Sequence, residues 1–411
     1  MGTLKTRRRW PGPVAVFGTL FVTCVIAPAA AQEPETATRA SLIEQTQAEK
    51  SATLQPYQPG AAEKYLDYAQ NYLTGGQLHW HPFFDSAYAG GGFTVGAGYL
   101  QHLGSYSVLD FRGSITPSGY KRAEAAFTAP SMVFGRWMSL SLLGGWREAT
   151  EVGFFGTGSE TAKESRVNYG FKQPYGSASI EAFPGRSLLV LRGGFEASQW
   201  QQTPGAGSVP SIETAYTPES LPGLGAKTTY LHSQGTIGID WRESPGYARR
   251  GGFYGVTFHD FADPDNVYGF KQLDYEAVQH IPLLREAWVL SFRGAVETTN
   301  VNDSEQVPFF MLPALGGGSS LRGFSSWRFR DRNSLLLQGE WRIIVNRYID
   351  MAVFFDAGKV TQHSRDLNFD GLKTDGGLGF RLHGPLATPL RIDFAKSHEG
   401  LSIVFGSSAV F

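Results

Sequence analysis

Residues 335 to 345 read Leu-Leu-Leu-Gln-Gly-Glu-Trp-Arg-Ile-Ile-Val, and every second residue from Leu335 onward is apolar or glycine. The positions between them include Gln338, Glu340 and Arg342. A period of two residues is that of a β-strand with one apolar face and one polar face. In a transmembrane barrel, one face of each strand contacts lipid and the other faces the lumen. The stretch therefore predicts a strand in the wall of an all-β, antiparallel transmembrane β-barrel.

The same alternation recurs in residues 231–242, 350–358 and 390–394, with Asp350 and Asp356 together on the polar face of the second segment. Turn residues divide the chain into about sixteen such strands. The predicted strands are residues 79–88, 91–101, 105–115, 120–129, 137–148, 166–183, 187–200, 230–242, 252–262, 267–282, 286–299, 333–345, 349–358, 374–383, 388–396 and 401–411. They predict a barrel domain over residues 78–411.

The lengths of the predicted connections orient this barrel. Long connections at residues 149–165, 201–229, 301–332 and 359–373 all fall on one side, and short turns fall on the other, except for the nine-residue connection at residues 243–251. Outer-membrane barrels have short periplasmic turns and longer external loops. We therefore expect the long connections outside the cell and both ends of the barrel in the periplasm.

The composition agrees with a barrel and excludes other classes. The 411 residues include 50 glycines, 13% aromatic residues and only 18% charged residues, as expected for many strands and turns. Beyond the N-terminal segment, no run of about 18 apolar residues predicts a membrane-spanning helix. The formal net charge is −1, and no basic patch for nucleic acid is indicated.

The N-terminal residues predict export. Basic residues at positions 5–9 precede an apolar stretch at 14–27 and small residues at 29–31. This order is typical of a secretory signal peptide, predicted over residues 1–31. Residues 32–77 are polar and predict a periplasmic tail that is disordered, or that forms a short helix near residues 61–73. The expected location is the outer membrane of a Gram-negative bacterium.

A glycine-rich stretch lies in the longest predicted loop and reads Gly316-Gly317-Gly318-Ser319-Ser320-Leu321-Arg322-Gly323-Phe324. A guanidinium group has five donors in a rigid fork and can bridge two carboxylates. Glu340 and Asp356 are predicted to face inward on adjacent strands. Arg322 either folds back into the lumen to pair with them or remains a solvated loop residue.

These residues resemble the BamA/TamA superfamily of outer-membrane barrels, also called the bacterial surface antigen family. The sequence of residues Leu321–Phe324 is similar to the Leu/Val-Arg-Gly-Phe/Tyr motif of the sixth loop in that family. Residues 354–358 are similar to its Phe-x-Asp-x-Gly element, and Glu340 with Arg342 to its Glu-x-Arg. Residues 240–245 are similar to its Asp-x-Arg turn. The resemblance covers residues 77 to 411.

The resemblance implies a structural lock between the sixth loop and the barrel wall, formed by Leu321, Arg322, Gly323, Phe324, Glu340, Asp356 and Gly358. It also implies a C-terminal assembly signal at Ile403, Phe405 and Phe411. The implied function is to aid insertion or passage of polypeptides through the outer membrane. The implied partners are the lipid bilayer, nascent outer-membrane or exported proteins, and the barrel assembly machinery.

One departure from the family leaves a second function open. Assembly factors of this superfamily carry periplasmic POTRA domains before the barrel, and the segment before Leu78 is too short to hold one. We therefore expect a form without POTRA domains. The alternative is a passive pore or structural outer-membrane protein that retains the family scaffold.

No motif predicts an enzyme, a cofactor or a metal site. The sequence has no Gly-x-Ser-x-Gly elbow, and His79 and His81 have no evident third ligand. Glu340 and Asp356 could resemble the paired acids of a glycosidase, but Arg322 would keep them ionised, which suits a structural role.

Overall fold

A computed structural model describes residues 79–184, 188–284, 286–384 and 387–411. The predicted signal peptide at residues 1–31 lies outside the described residues, as does the predicted tail at residues 32–77. Within the described ranges, no helix has the length and apolar character needed to cross a membrane.

The described residues form one antiparallel sheet of 16 strands, which confirms the predicted number and fold class. Each strand pairs with its neighbours in chain order. The strands are β1 (Trp80–Pro82), β2 (Val95–Leu103), β3 (Ser107–Ile115), β4 (Lys121–Ala129), β5 (Met138–Phe154), β6 (Val167–Ala182), β7 (Leu189–Pro204), β8 (Lys227–Asp240), β9 (Gly251–Ala262), β10 (Phe270–Leu283), β11 (Trp288–Asn300), β12 (Asn333–Ile344), β13 (Ile349–Thr361), β14 (Lys373–Leu382), β15 (Leu390–Ser397) and β16 (Gly400–Gly406). A further two-residue ribbon, Ala314–Leu315 with Phe329–Arg330, lies within the β11–β12 loop.

The two faces of the wall differ as the alternation predicts. On β13, Met351, Val353 and Phe355 are 42%, 43% and 56% exposed, whereas Asp350 and Asp356 are 0% exposed. Apolar side chains at alternate positions therefore cover the outer face, and the charged side chains between them point into the barrel.

The first and last strands are shorter than predicted. β1 is three residues long, against the predicted 79–88, and the connection of residues 83–94 that follows it contains three consecutive glycines, which are unfavourable in a strand. β16 ends at Gly406, against the predicted 401–411. Among the described residues, each of these two strands is paired along one edge only.

The long loops pack together at one end of the lumen. Phe309, from the β11–β12 loop, contacts Tyr169 of β6 edge to face, with ring centres 4.8 Å apart. Trp200 of β7 stacks on Phe310 at 5.5 Å. Ile212 of the β7–β8 loop is buried in the same cluster. These residues form a hydrophobic cap across this end of the barrel, which we call the aromatic cap.

The β8–β9 turn, residues 241–250, reaches onto the inner wall at the other end. The Tyr247 hydroxyl donates to Asp350 Oδ2 at 2.6 Å, and its ring stacks on His383 with centres 4.0 Å apart. Arg342 donates to the carbonyl oxygen of Ala248. The length of this turn is therefore explained by its contacts with β12, β13 and the β14–β15 connection.

Candidate functional site

Arg322 enters the barrel from the β11–β12 loop and is fully buried. Its Nε donates to Asp356 Oδ2 at 2.7 Å, and its Nη2 donates to Asp356 Oδ1 at 2.8 Å. Its Nη1 donates to Glu340 Oε2 at 3.0 Å. Of the two alternatives that the sequence left open, the structure therefore shows the folded-back arginine. One guanidinium group bridges carboxylates on two neighbouring strands.

The register of β12 and β13 explains why the two carboxylates meet. Gln338 lies directly opposite Asp356, and Glu340 follows two residues later on the same inner face. Gln338 Nε2 also donates to Asp356 Oδ1 at 3.2 Å and to the carbonyl oxygen of Ser320 at 2.8 Å. The guanidinium carbon of Arg322 lies 3.5 Å from the ring centre of Phe354. The arginine is thus held by charge, hydrogen bonds and an aromatic face.

The network extends to β14 and β15 through residues that the sequence did not single out for the lock. Arg381 donates to Glu340 Oε2 at 2.7 Å and to Asp393 Oδ1 at 2.6 Å. Asp393 Oδ2 lies 3.6 Å from Arg322 Nη1 and 3.4 Å from Arg391 Nη1. The guanidinium groups of Arg322, Arg381 and Arg391 therefore alternate with the carboxylates of Glu340, Asp356 and Asp393. All of these residues except Arg322 lie on the four strands β12 to β15. The inward parity of residues 391 and 393 was visible in the sequence, but their distance from Arg322 was not.

The electrostatic balance favours a charged arginine. Burial by itself would lower the pKa of Arg322, but the hydrogen bonds and charge of Asp356, followed by the charges of Glu340 and Asp393, outweigh it and raise the pKa. A guanidinium group is protonated throughout the physiological range even without such partners. Arg322 is therefore a cation in the folded barrel at physiological pH.

Gly323 allows the loop to approach the wall. A Cβ atom at this position would lie 2.6 Å from Cβ of Asp375 and 3.0 Å from Cβ of Ser397. The Ser397 hydroxyl donates to the Gly323 carbonyl oxygen at 2.8 Å. Gly316 and Gly317 have φ angles of 116° and 96°, which favour glycine. Backbone contact of this kind requires a residue without a side chain.

The other predicted lock residues surround the arginine. Leu321 and Phe324 are buried in a small hydrophobic cluster. Its remaining members are Leu315, Phe329, Leu336 and Val360. A Cβ atom at Gly358 would lie 2.8 Å from the carbonyl oxygen of Leu335 and 2.9 Å from Leu315 Cδ1. The structure therefore brings all seven predicted lock residues to one place.

The three residues of the predicted C-terminal signal are not brought together. Ile403 and Phe405 point outward from β16 and are 53% and 70% exposed. Phe411 lies beyond the strand end, and its ring is 6.1 Å from that of His280 on the inner wall. Ile403 and Phe405 thus share the lipid-facing surface, and Phe411 does not.

A sixteen-stranded sheet whose β11–β12 loop folds back and ion-pairs with the wall is the arrangement that the family motifs predicted. The Omp85 superfamily domain model matches residues 109–400, which is more than half of the chain. The chain therefore belongs to the Omp85 superfamily, and the family predicted from the motifs is confirmed. Homologues of this superfamily are Gram-negative outer-membrane proteins.

Solved structures share the fold. BamA from Haemophilus ducreyi lacking POTRA domains 1–3 matches with a TM-score of 0.58 at 18% identity, over 77% of this chain and 67% of that chain. CdiB from Escherichia coli matches with a TM-score of 0.51 at 12% identity, over 79% of this chain. The chain spans 58% of this CdiB, and 55% of CdiB from Acinetobacter baumannii. A search of the curated proteins found no match to the sequence.

Proposed function

We propose that the protein aids the insertion or passage of polypeptides through the outer membrane of a Gram-negative bacterium. The observation that carries the proposal is the fully buried Arg322 bridging Glu340 and Asp356, which ties the external loop to the barrel wall. Its partners would be the lipid bilayer, nascent outer-membrane or exported proteins, and the barrel assembly machinery. Export would use the predicted signal peptide, residues 1–31.

The edges of the sheet support handling of a polypeptide. β1 pairs with β2 through only three residues, Trp80–Pro82, and β16 is paired along one edge only among the described residues. An unpaired strand edge presents backbone N–H and C=O groups that can pair with another chain. A client strand could therefore bind at this edge.

The packing of the lumen argues against a permanently open pore. The aromatic cap buries Phe309 and Phe310 of the β11–β12 loop against β6 and β7, and we expect a solute crossing this end to displace them. The alternative, a passive pore that retains the family scaffold, requires this cap to open. No activity on a small-molecule substrate is part of the proposal.

In-cell photo-crosslinking tests the proposal. A photoreactive residue in place of Ile403, on the outer face of β16, samples the neighbourhood of the edge. The same residue in place of Phe195, which is 48% exposed on the outer face of β7, is the matched control. We expect Ile403 to cross-link to other outer-membrane polypeptides and Phe195 to give lipid adducts only.

One result would contradict the proposal, and one further measurement would then identify the alternative. Identical cross-linking patterns from both positions would show that the strand edge has no special role. A steady single-channel conductance of the purified barrel in a planar bilayer, together with those identical patterns, would favour the passive pore.

A further inference from the structure

A row of charged and polar side chains crosses five strands near the long loops. Lys121 of β4 lies opposite Glu148 of β5, which lies opposite Lys172 of β6. The row continues through Gln201 of β7 to Lys227 of β8. Neighbouring strands are about 4.8 Å apart, so these five residues span about 19 Å. We call them the lysine row, and its three lysines and one glutamate give it a formal charge of +2.

The lysine row is on the outer face of the wall. Lys172 is exposed, whereas Phe171 and Gln173 on either side of it are buried on the inner face. The side chains of Lys121 and Lys172 are 56% and 47% exposed, and their ammonium groups lie 3.4 and 3.5 Å from the carboxylate of Glu148. An ammonium group has three donors, so each lysine can still bind an anion.

An apolar groove of about 450 Å³ lies on the outer face of β3 to β7, farther from the long loops. Its lining includes two glycines that lie opposite each other, Gly144 and Gly176. A Cβ atom at Gly144 would have no neighbour within 4 Å, so the space above this position is open. The large side chains of the lining are those of Leu109, Phe127, Leu142, Leu143 and Phe195.

The spacing of the row and the groove matches that of a lipid headgroup and its acyl chains. Gly144 is four residues from Glu148, and Gly176 is four residues from Lys172, which is about 13 Å along each strand. With a strand tilt of about 40°, the difference in depth is about 10 Å. The headgroup region of one leaflet is only about 6 Å thick. A row at the headgroups therefore places the groove among the acyl chains.

Trp146 marks the boundary between the two regions. It lies on β5 between Gly144 and Glu148, and alternation along the strand directs its side chain to the same outer face. Tryptophan is enriched where the headgroups of a bilayer meet the hydrocarbon. The order of cation, tryptophan and apolar groove along one strand is therefore that of a lipid lying against the wall.

We propose that the lysine row and the apolar groove together form a binding site for a lipid with phosphate groups in its headgroup. The phosphates pair with the ammonium groups of the row, and an acyl chain lies in the groove. The positive charge of the row complements the phosphates, and its length of about 19 Å accommodates more than one of them. The inference does not depend on the proposed function.

Native mass spectrometry of the detergent-solubilised barrel tests the class of ligand. Diphosphoryl lipid A is the probe, because it carries two phosphate groups and several acyl chains. Phosphatidylcholine, which has acyl chains but no net charge, is the comparison. We expect one copy of lipid A to bind saturably, at least about tenfold more tightly than phosphatidylcholine.

Charge variants test the lysine row. A lysine near an anionic lipid changes its affinity about fivefold, so Lys121→Gln combined with Lys172→Gln should weaken lipid A binding about 25-fold. Lys271→Gln is the control, since Lys271 is exposed at the same end of β10 but is not in the row. Glu148→Gln removes a competing carboxylate and should tighten the binding, which a merely damaged structure would not do.

A larger side chain in the groove tests the acyl chain. Gly176→Leu should weaken lipid A binding at least about tenfold, because the leucine fills space that the chain would occupy. Gly235→Leu is the matched control, since its Cβ atom would also have no neighbour within 4 Å and Gly235 is exposed outside the groove. On the unaltered protein, lipid A from which the acyl chains have been removed should not compete with intact lipid A at equal concentration.

The refuting outcomes are distinct. Equal affinities for lipid A and phosphatidylcholine, or unchanged lipid A binding after loss of both lysines, would overturn the phosphate site. Equal affinities of Gly176→Leu and Gly235→Leu, or full competition by the deacylated headgroup, would overturn the role of the groove. None of these outcomes depends on cross-links from Ile403, so this inference and the proposed function can fail separately.

Discussion

Replacing Arg322 by alanine removes the cation at the centre of the lock. The side chain makes two hydrogen bonds to Asp356 and one to Glu340, and all three residues are buried. Arg381 still pairs with Glu340 in the variant, but Asp356 loses the guanidinium group that binds both of its oxygens. The substitution therefore leaves a carboxylate in the wall without its cationic partner.

The expected cost follows from that uncompensated charge. Removing one partner of a buried ion pair typically costs ~3–5 kcal/mol. At about 1.4 kcal/mol for each factor of ten, this lowers the folded-to-unfolded ratio by a hundredfold to a few thousandfold. Arg322→Lys keeps one positive charge but loses the bidentate fork, so we expect an intermediate loss.

The assay is the urea midpoint and the heat-modifiable migration of the purified barrel. Arg250→Ala is the control, since Arg250 pairs with Glu243 at 2.9 Å but its side chain is 62% exposed. An exposed pair contributes only ~0–1 kcal/mol. If Arg322→Ala lowers the midpoint no further than Arg250→Ala does, the buried pair is not what holds the loop, and the reasoning fails.

Three other substitutions test the surroundings. Gly323→Ala should abolish the heat-modifiable form on gels, because the added Cβ atom would lie 2.6 Å from Cβ of Asp375. Gly144→Ala is the control and should keep this form, because its Cβ atom would have no neighbour within 4 Å. Equal yields of the heat-modifiable form from the two variants would contradict the prediction. Asp375→Asn should raise the urea midpoint, because it replaces a buried carboxyl group opposite Asp356 in the register by an amide that stays uncharged at every pH; a lower midpoint would show that the carboxyl group itself is needed. Tyr247→Phe, which loses the 2.6 Å hydrogen bond to Asp350, should speed tryptic cleavage in the β8–β9 turn, and an unchanged cleavage rate would show that the ring alone holds the turn.

Much of the wall was predictable because alternation is a local property. The strand over residues 335–345 was predicted from its period alone, and β12 (Asn333–Ile344) agrees within two residues. The ends of the sheet were less predictable. The last strand was predicted over residues 401–411, yet it ends at Gly406, and the ring of Phe411 lies 6.1 Å from that of His280 on the inner wall.

The candidate site, like the wall, was predicted only in part from the sequence. The Leu321–Phe324 motif and the inward direction of Glu340 and Asp356 predicted the lock, because a motif and the alternation of side chains along a strand can both be read from the local sequence. Arg381 was missed, since its contact with Glu340 depends on the stagger of β12, β13 and β14.

The sequence by itself determined the strand number, the inward and outward faces, and the arginine of the loop. Only the tertiary structure decided which carboxylates surround Arg322, that Tyr247 docks on Asp350, and that Phe411 lies inside the barrel. The physical reason is that a period of two depends on neighbours in the chain. Register, loop closure and the packing of the lumen depend on residues far apart in the sequence.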